Sequence, residues 1–351
     1  MTPTTLKAAV LFLTVAVLAV AFLFAELVVR YDVDAWPFEA PMAIPPHLTD
    51  KEAALRWRFS AGRGRNSLGL RNREVGAKAP QDVRILFLGD SLIWSGETSR
   101  GKFYTEVIET RLNQIARRPA IHVEVINAGV PGYTTYQELE FLKLHGLDMK
   151  PDLVVLGFVF NDLYYPYLHR PTAGKMLDRD PNVLLNRFDT HAFPGWLFAR
   201  SYVAHQIAFL GRRALGKLAR HPYFPFERRE DFYLAWMPHG WNTTAPLLGE
   251  MRDLLARDGR KFAIVIFPVV DQVDDAYRAL DLDHVLYPQR RIGAICTALA
   301  VACLDLTESL HAAGGKTLYR DYLHLNEKGN DVVADEITRF LRSDPDWKLA
   351  D

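Results

Sequence analysis

The chain has 351 residues, 49% of them apolar, which is enough to bury a large core and excludes a disordered polymer. Lys and Arg number 42 and so do Asp and Glu, so no net charge draws the protein to nucleic acid or to anionic lipid. Its two cysteines, Cys296 and Cys303, lack the CxxC or cysteine–histidine spacing that zinc requires, which argues against a metal site of that type.

Residues 8–29 are apolar apart from Glu26, a run long enough to cross a bilayer as a helix. Lys7 and the α-amino group precede it, while Asp32, Asp34 and Glu39 follow, a bias that leaves the N-terminus in the cytoplasm and the rest of the chain outside. Ala19-Val20-Ala21 also resembles a small-x-small cleavage site, so segment 1–30 is either a membrane anchor or a signal segment. The anchor is favoured because the apolar run continues well past Ala21. Either way the protein is exported, and as an anchored protein it is expected in the inner membrane, single-pass, with its main domain in the periplasm.

Residues 31–81, rich in Pro and charge, read as a stalk that packs on the domain. The domain itself is expected over 82–345. Short apolar runs followed by turn signals predict strands at 84–89, 123–127, 153–157, 262–267 and 301–306. Helical patterns fall between and after them, at 104–118, 135–145, 244–258, 289–299 and 327–341. Such alternation implies a parallel sheet covered on both faces, with the chemistry at the carboxyl ends of its strands. Cys296 falls in a predicted helix and Cys303 in the strand after it, and two buried thiols, not a disulfide, are the expectation.

The strand ends carry the candidate chemistry. The first runs into Gly89-Asp90-Ser91-Leu92, a glycine that permits a tight turn and a serine at the start of a helix. Helix-start N–H groups suit a developing oxyanion, and the serine needs only a neighbouring base to become nucleophilic. Asp321-Tyr322-Leu323-His324, just before the last helix, supplies an imidazole with a carboxylate three residues away to orient it. The second strand ends in Asn127-Ala128-Gly129-Val130-Pro131-Gly132-Tyr133-Thr134 and the third leads to Asn161-Asp162, which offer backbone and side-chain amides for an oxyanion hole. Asp90 and Asp162 are expected to hold nearby backbone. A serine that merely caps a helix would not explain the other three stretches.

These four stretches, in this order over residues 84–330, resemble the blocks of the SGNH/GDSL hydrolases. The resemblance implies Ser91 as nucleophile, Asp321 and His324 as the rest of a triad, and Ser91, Gly132 and Asn161 around the oxyanion, with no metal or organic cofactor. It implies a flavodoxin-like three-layer α/β/α sandwich of about five parallel strands, and the cleavage of acyl esters on carbohydrate or lipid. Two departures stand out: Val159 occupies the position usually held by glycine in the third block, and Gly129 competes with Gly132 as the donor. Transfer of the acyl group to an exported polysaccharide would use the same residues, and a non-catalytic polysaccharide-binding or assembly role is the remaining alternative. The insertion 163–243, with Tyr164, Tyr165, Tyr167, Trp196, Trp236 and Trp241, is expected to roof the site, its aromatic residues mostly packing. His145, His169, His205 and His239 lack paired ligand spacing and are read as packing or surface residues.

Overall fold

The computed structural model describes residues 3–31, 50–55, 58–59, 61–62, 64–95, 101–115, 122–163, 232–236, 238–344 and 347. Most of the expected stalk and roof, including Tyr164, Tyr165, Tyr167, Trp196, His169 and His205, lies outside the described residues. The chain divides into two compact units, one of residues 1–43 with 172–220, the other of 44–171 with 221–351. In the first, helix α1 spans Pro3–Tyr31, and its stretch Thr5–Ala25 has a mean hydropathy of 2.8 with none of it buried. That length and composition suit either a membrane span or a signal segment.

The second unit is built on five parallel strands: β1 (Val83–Gly89), β2 (Val123–Gly129), β3 (Leu153–Phe158), β4 (Lys261–Ile266) and β5 (Ala302–Asp305). Their order across the sheet is β2-β1-β3-β4-β5. Every residue of β1, β2 and β3 is buried, as is β4 after its exposed first residue Lys261, as a sheet covered on both faces demands, and the edge strand β5 is partly exposed.

The helices between them are α2 (Ser91–Trp94), α3 (Tyr104–Ile115), α4 (Thr135–Phe141), α5 (Trp241–Arg257), α6 (Tyr287–Leu299), α7 (Thr307–Ala313) and α8 (Glu327–Ser343). Single-turn helices at Asp275–Arg278 and Leu282–Val285 lie between β4 and α6. Helix α3 packs on α8 and β2, whereas α4 packs on α5 and β1 and α5 on β4 and α6, giving the two outer layers. The chain leaves β1 for β2 on one side and returns past β1 to β3 on the other. Right-handed crossovers put the connecting helices on opposite faces and open a crevice where β1 and β3 end.

Trp236 and Trp241 are buried in this core: the Trp241 ring stacks on Phe158 at 6.0 Å and Trp236 meets Phe160 edge-on at 5.6 Å. They pack, as expected for aromatic residues of that region. His145 is likewise engaged, its Nε2 lying 2.8 Å from Glu52 Oε1.

The expectation of free thiols is overturned, because Cys296 and Cys303 form a disulfide with their Cα atoms 6.3 Å apart. Cys296 points inward from α6 beside the sheet edge. Ala300, at φ 52°, reverses the chain after Leu299, and β5 then carries Cys303 back within bridging distance. Spacing in the sequence did not display this, since the pairing depends on the tight αL reversal between helix and strand. A bridge closing a loop of sequence separation 7 contributes about 2.5 kcal/mol by loop-entropy arithmetic. Reduction, or Cys296→Ser with Cys303→Ser, is therefore expected to lower the unfolding midpoint by roughly 5 °C in a thermal melt.

Candidate active site

The carboxyl ends of β1, β2 and β3 are level with one another, for Gly89 pairs in register with Gly129 on one side and Gly157 on the other. This row of three glycines is what the short helix α2 sits upon. A Cβ at Gly129 would lie 2.3 Å from the Trp94 nitrogen and 2.7 Å from the Ile93 carbonyl carbon; one at Gly157 would lie 2.2 Å from Ile93 Cδ1. The Ile93 side chain, fully buried, fills the space that three absent side chains leave. Ser91 is thereby seated directly over the sheet end. The sequence marks Gly89 for its turn and Gly129 as a candidate oxyanion donor but does not show the row, since only strand register brings Gly157 beside them. Gly129→Ala must push backbone aside, and a displacement of the order of 1 Å at a catalytic group costs up to about 10²-fold in rate. The expected result is a folded protein with kcat reduced at least tenfold, measured against its unfolding midpoint.

Asp90 caps α2, its Oδ1 accepting the Leu92 N–H at 2.9 Å, and its Oδ2 accepts from Asn161 Nδ2 at 2.9 Å. Ser91 Oγ lies 2.9 Å from His324 Nε2, and His324 Nδ1 lies 2.8 Å from Asp321 Oδ2 and 3.1 Å from Oδ1. The three residues thus form one hydrogen-bonded chain across 233 positions of sequence.

The loop bearing Asp321 and His324 is pinned on several sides. Arg320 N–H donates to His324 O at 2.8 Å, Val270 N–H to Tyr322 O at 2.9 Å, and Tyr319 Oη–H to Pro268 O at 2.9 Å. Asn326 then caps α8 through the Gly329 N–H at 3.1 Å. Burial alone would raise the Asp321 carboxyl, but the backbone N–H groups of His324 and Leu323, and then the imidazole, outweigh it and hold it below the usual carboxylate range. Asp321 therefore stays ionised into acid, and an acid-side loss of activity must come from another group.

The second strand's extension resolves into a turn. Tyr133 N–H donates to Val130 O at 3.0 Å, with Pro131 second and Gly132 third at φ +80°, the arrangement of a type II turn. The two candidate glycines differ here. Gly129 N–H is spent on Asn127 Oδ1 at 3.0 Å, whereas the N–H groups of Gly132 and Ser91 donate to nothing among the described residues.

In the third block Val159 N–H donates to Asp162 Oδ2 at 2.7 Å and Asp162 N–H to Val159 O at 3.0 Å, closing a tight turn over Phe160–Leu163. Val159 is not among the residues of positive φ, so glycine is not needed there. Asp90 and Asp162 thus do hold neighbouring backbone, and Asp90 also holds the Asn161 side chain.

The model of the GDSL-like Lipase/Acylhydrolase family matches residues 87–332 of the chain, from the last residues of β1 into α8. Among solved structures, the acetyl xylan esterase AlAXEase is similar at 15% identity and a TM-score of 0.41, over 73% of this chain and 98% of that one. A catalytic mutant of Axe2, an acetylxylan esterase from Geobacillus stearothermophilus, is similar at 14% identity and a TM-score of 0.43, over 74% and 94%. The lipase/acylhydrolase from Enterococcus faecalis is similar at 15% identity and a TM-score of 0.42, over 74% and 96%. At such identities and TM-scores nothing about this chain's substrate follows from them. No curated protein matches the chain. The family model spans more than half of the sequence and ends on both sides within the sheet-and-helix unit that carries the serine, and the chain belongs to the GDSL-like lipase/acylhydrolase family of SGNH hydrolases, whose reaction is ester hydrolysis.

Proposed function

We propose that Ser91 is the nucleophile, His324 its general base and Asp321 the group that orients the imidazole, in an enzyme that removes short acyl groups, of acetyl type, from carbohydrate outside the cytoplasm. The observation that carries this reading is the unbroken hydrogen-bonded chain from Ser91 Oγ through His324 to Asp321. Ser91 Oγ attacks the ester carbonyl as its proton passes to Nε2, while Nδ1–H remains hydrogen-bonded to Asp321. The tetrahedral oxyanion is held by the N–H groups of Ser91 and Gly132 and by the second amide hydrogen of Asn161, each such donor worth about 3–4 kcal/mol. Collapse expels the alcohol, which takes the proton from Nε2. A water deprotonated by His324 then attacks the acyl-serine and releases the acid.

The apolar N-terminal helix supports membrane tethering, with Lys7 on the cytoplasmic side and the hydrolase domain outside. The Cys296–Cys303 disulfide supports the same location, since such bridges persist in oxidising compartments. An exported, tethered enzyme meets acylated surface carbohydrate more readily than soluble metabolites.

The test is acetate release from a simple acetyl ester, with and without an added oligosaccharide. Release that ignores the sugar supports hydrolysis, and acetyl appearing on the sugar makes the protein a transferase with the same triad. Equal signals from wild type and Ser91→Ala leave only a binding or assembly role. Protease protection of membrane vesicles tests the topology.

A further inference from the structure

Three carboxyl groups are buried together behind the nucleophile: Asp90, Glu138 and Asp162, each 1% exposed. They come from the β1–α2 turn, from α4 and from the turn after β3, and α4 packs directly against that last turn. Asp90 is well supplied with donors, taking Leu92 N–H on one oxygen and Asn161 Nδ2 on the other. Asp162 takes Val159 N–H on Oδ2 only. Its Oδ1, both oxygens of Glu138 and Asn161 Oδ1 have no hydrogen-bond partner among the described residues. Four buried acceptors on these neighbouring elements therefore lack a donor among the described residues.

Such an arrangement is strongly unfavourable while every acid is ionised, and the natural relief is to bind a proton. Burial first, then the charges of Asp162 and Asp90, push the Glu138 carboxyl far above the ordinary range. Burial and then Asp90 raise Asp162 as well, against the opposing pull of the Val159 N–H. The charged side chains on the packed elements pair elsewhere. Arg58 pairs with Glu52 at 2.7 Å, both within reach of Tyr133. Lys143 joins Glu140 and Glu250 where α4's extension meets α5, and the buried Tyr104 hydroxyl of α3, which has no hydrogen-bond partner among the described residues, feels the charge of Asp90.

We propose that Glu138 is a positioning residue, a neutral carboxylic acid that donates its proton to Asp162 Oδ1 and so locks the turn that presents Asn161. The inference rests on the reading of Asn161 as an oxyanion donor. One shared proton satisfies an oxygen on each acid, leaves Asp162 Oδ2 for Val159, and stops the turn from rotating the amide away from Asp90. Glu138 touches no reacting atom.

The experiment compares wild type with Glu138→Gln, which keeps a neutral donor of the same shape, and Glu138→Leu, which keeps volume without a donor. Infrared difference spectra of wild type minus Glu138→Gln at neutral pH are expected to show the carbonyl stretch of a protonated carboxylic acid. Glu138→Gln keeps kcat within about twofold, whereas Glu138→Leu lowers kcat at least tenfold with KM little changed, as loss of a well-aimed oxyanion donor does. Stability gives a further reading. Because the folded-state value of Glu138 lies above its unfolded value, its protonated form supports the fold below the ordinary glutamate range, and that support is lost as pH rises. Relative to wild type, Glu138→Gln therefore gains up to about tenfold in the folding constant per pH unit above about pH 5.

A spectrum with only ionised carboxylates, a folded Glu138→Leu with wild-type kcat, or stability curves that run parallel with pH would each overturn the proposal. Should Glu138→Leu fail to fold, the glutamine variant and the spectrum still decide. Should wild type hydrolyse no ester at all, the esterase reading falls, and the spectral and stability measurements test the shared proton independently.

Discussion

Ser91→Ala is expected to lower kcat for acyl-ester hydrolysis by about 10⁴-fold or more, leaving only what binding and the oxyanion donors supply. The Ser91 hydroxyl makes one hydrogen bond among the described residues, to His324 Nε2, at the edge of a half-exposed imidazole. Losing it costs about 1 kcal/mol of stability at most, so the unfolding midpoint stays close to wild type. The loss is therefore one of chemistry and not of fold. His324→Ala should match it, and the double variant should be no worse than either alone, because base and nucleophile act as one unit. Steady-state hydrolysis of a chromogenic acetyl ester, with a thermal melt beside it, decides the matter. A Ser91→Ala protein that retains a tenth of wild-type kcat would remove Ser91 from the mechanism.

Asn161→Ala carries the second-largest effect, a fall in kcat of about 10²–10³ with a small change in KM, as for an amide that grips the oxyanion only as it forms. Here the fold is also touched. Asn161 is 4% exposed and its Nδ2 is the one donor to Asp90 Oδ2 among the described residues. Its removal leaves a buried carboxylate oxygen unpaired, at about 1–3 kcal/mol. Both numbers should therefore move, and they separate the two duties of one side chain. A variant that loses stability while keeping kcat would mean that the amide serves Asp90 alone.

Much of this was legible before any coordinates. The five strands and the helices after them fall within a few residues of the expected runs, because buried parallel strands read as unbroken apolar stretches and amphipathic helices as a 3.6-residue rhythm. The motifs that carry Ser91, Asp321 and His324, which the structure joins by hydrogen bonds, were legible as well, since each is a short stretch at the end of a strand or the start of a helix. These are properties that a few consecutive residues determine for themselves.

Other features belong to the assembled sheet. The disulfide depends on a reversal at Ala300 that brings a helix and an edge strand together, and the six intervening residues do not announce it. Gly157 matters because register sets it beside Gly89, beneath Ile93. Glu138 is an ordinary glutamate in its own helix, and becomes a candidate proton holder only when β1, α4 and the turn after β3 converge and strip it of water. The sequence alone determined the elements and the motifs that carry the candidate site, because propensity, periodicity and capping act over a few residues. Tertiary structure alone decided which glycine is crowded and which acid is buried, because those steric contacts and that desolvation exist only once distant segments meet.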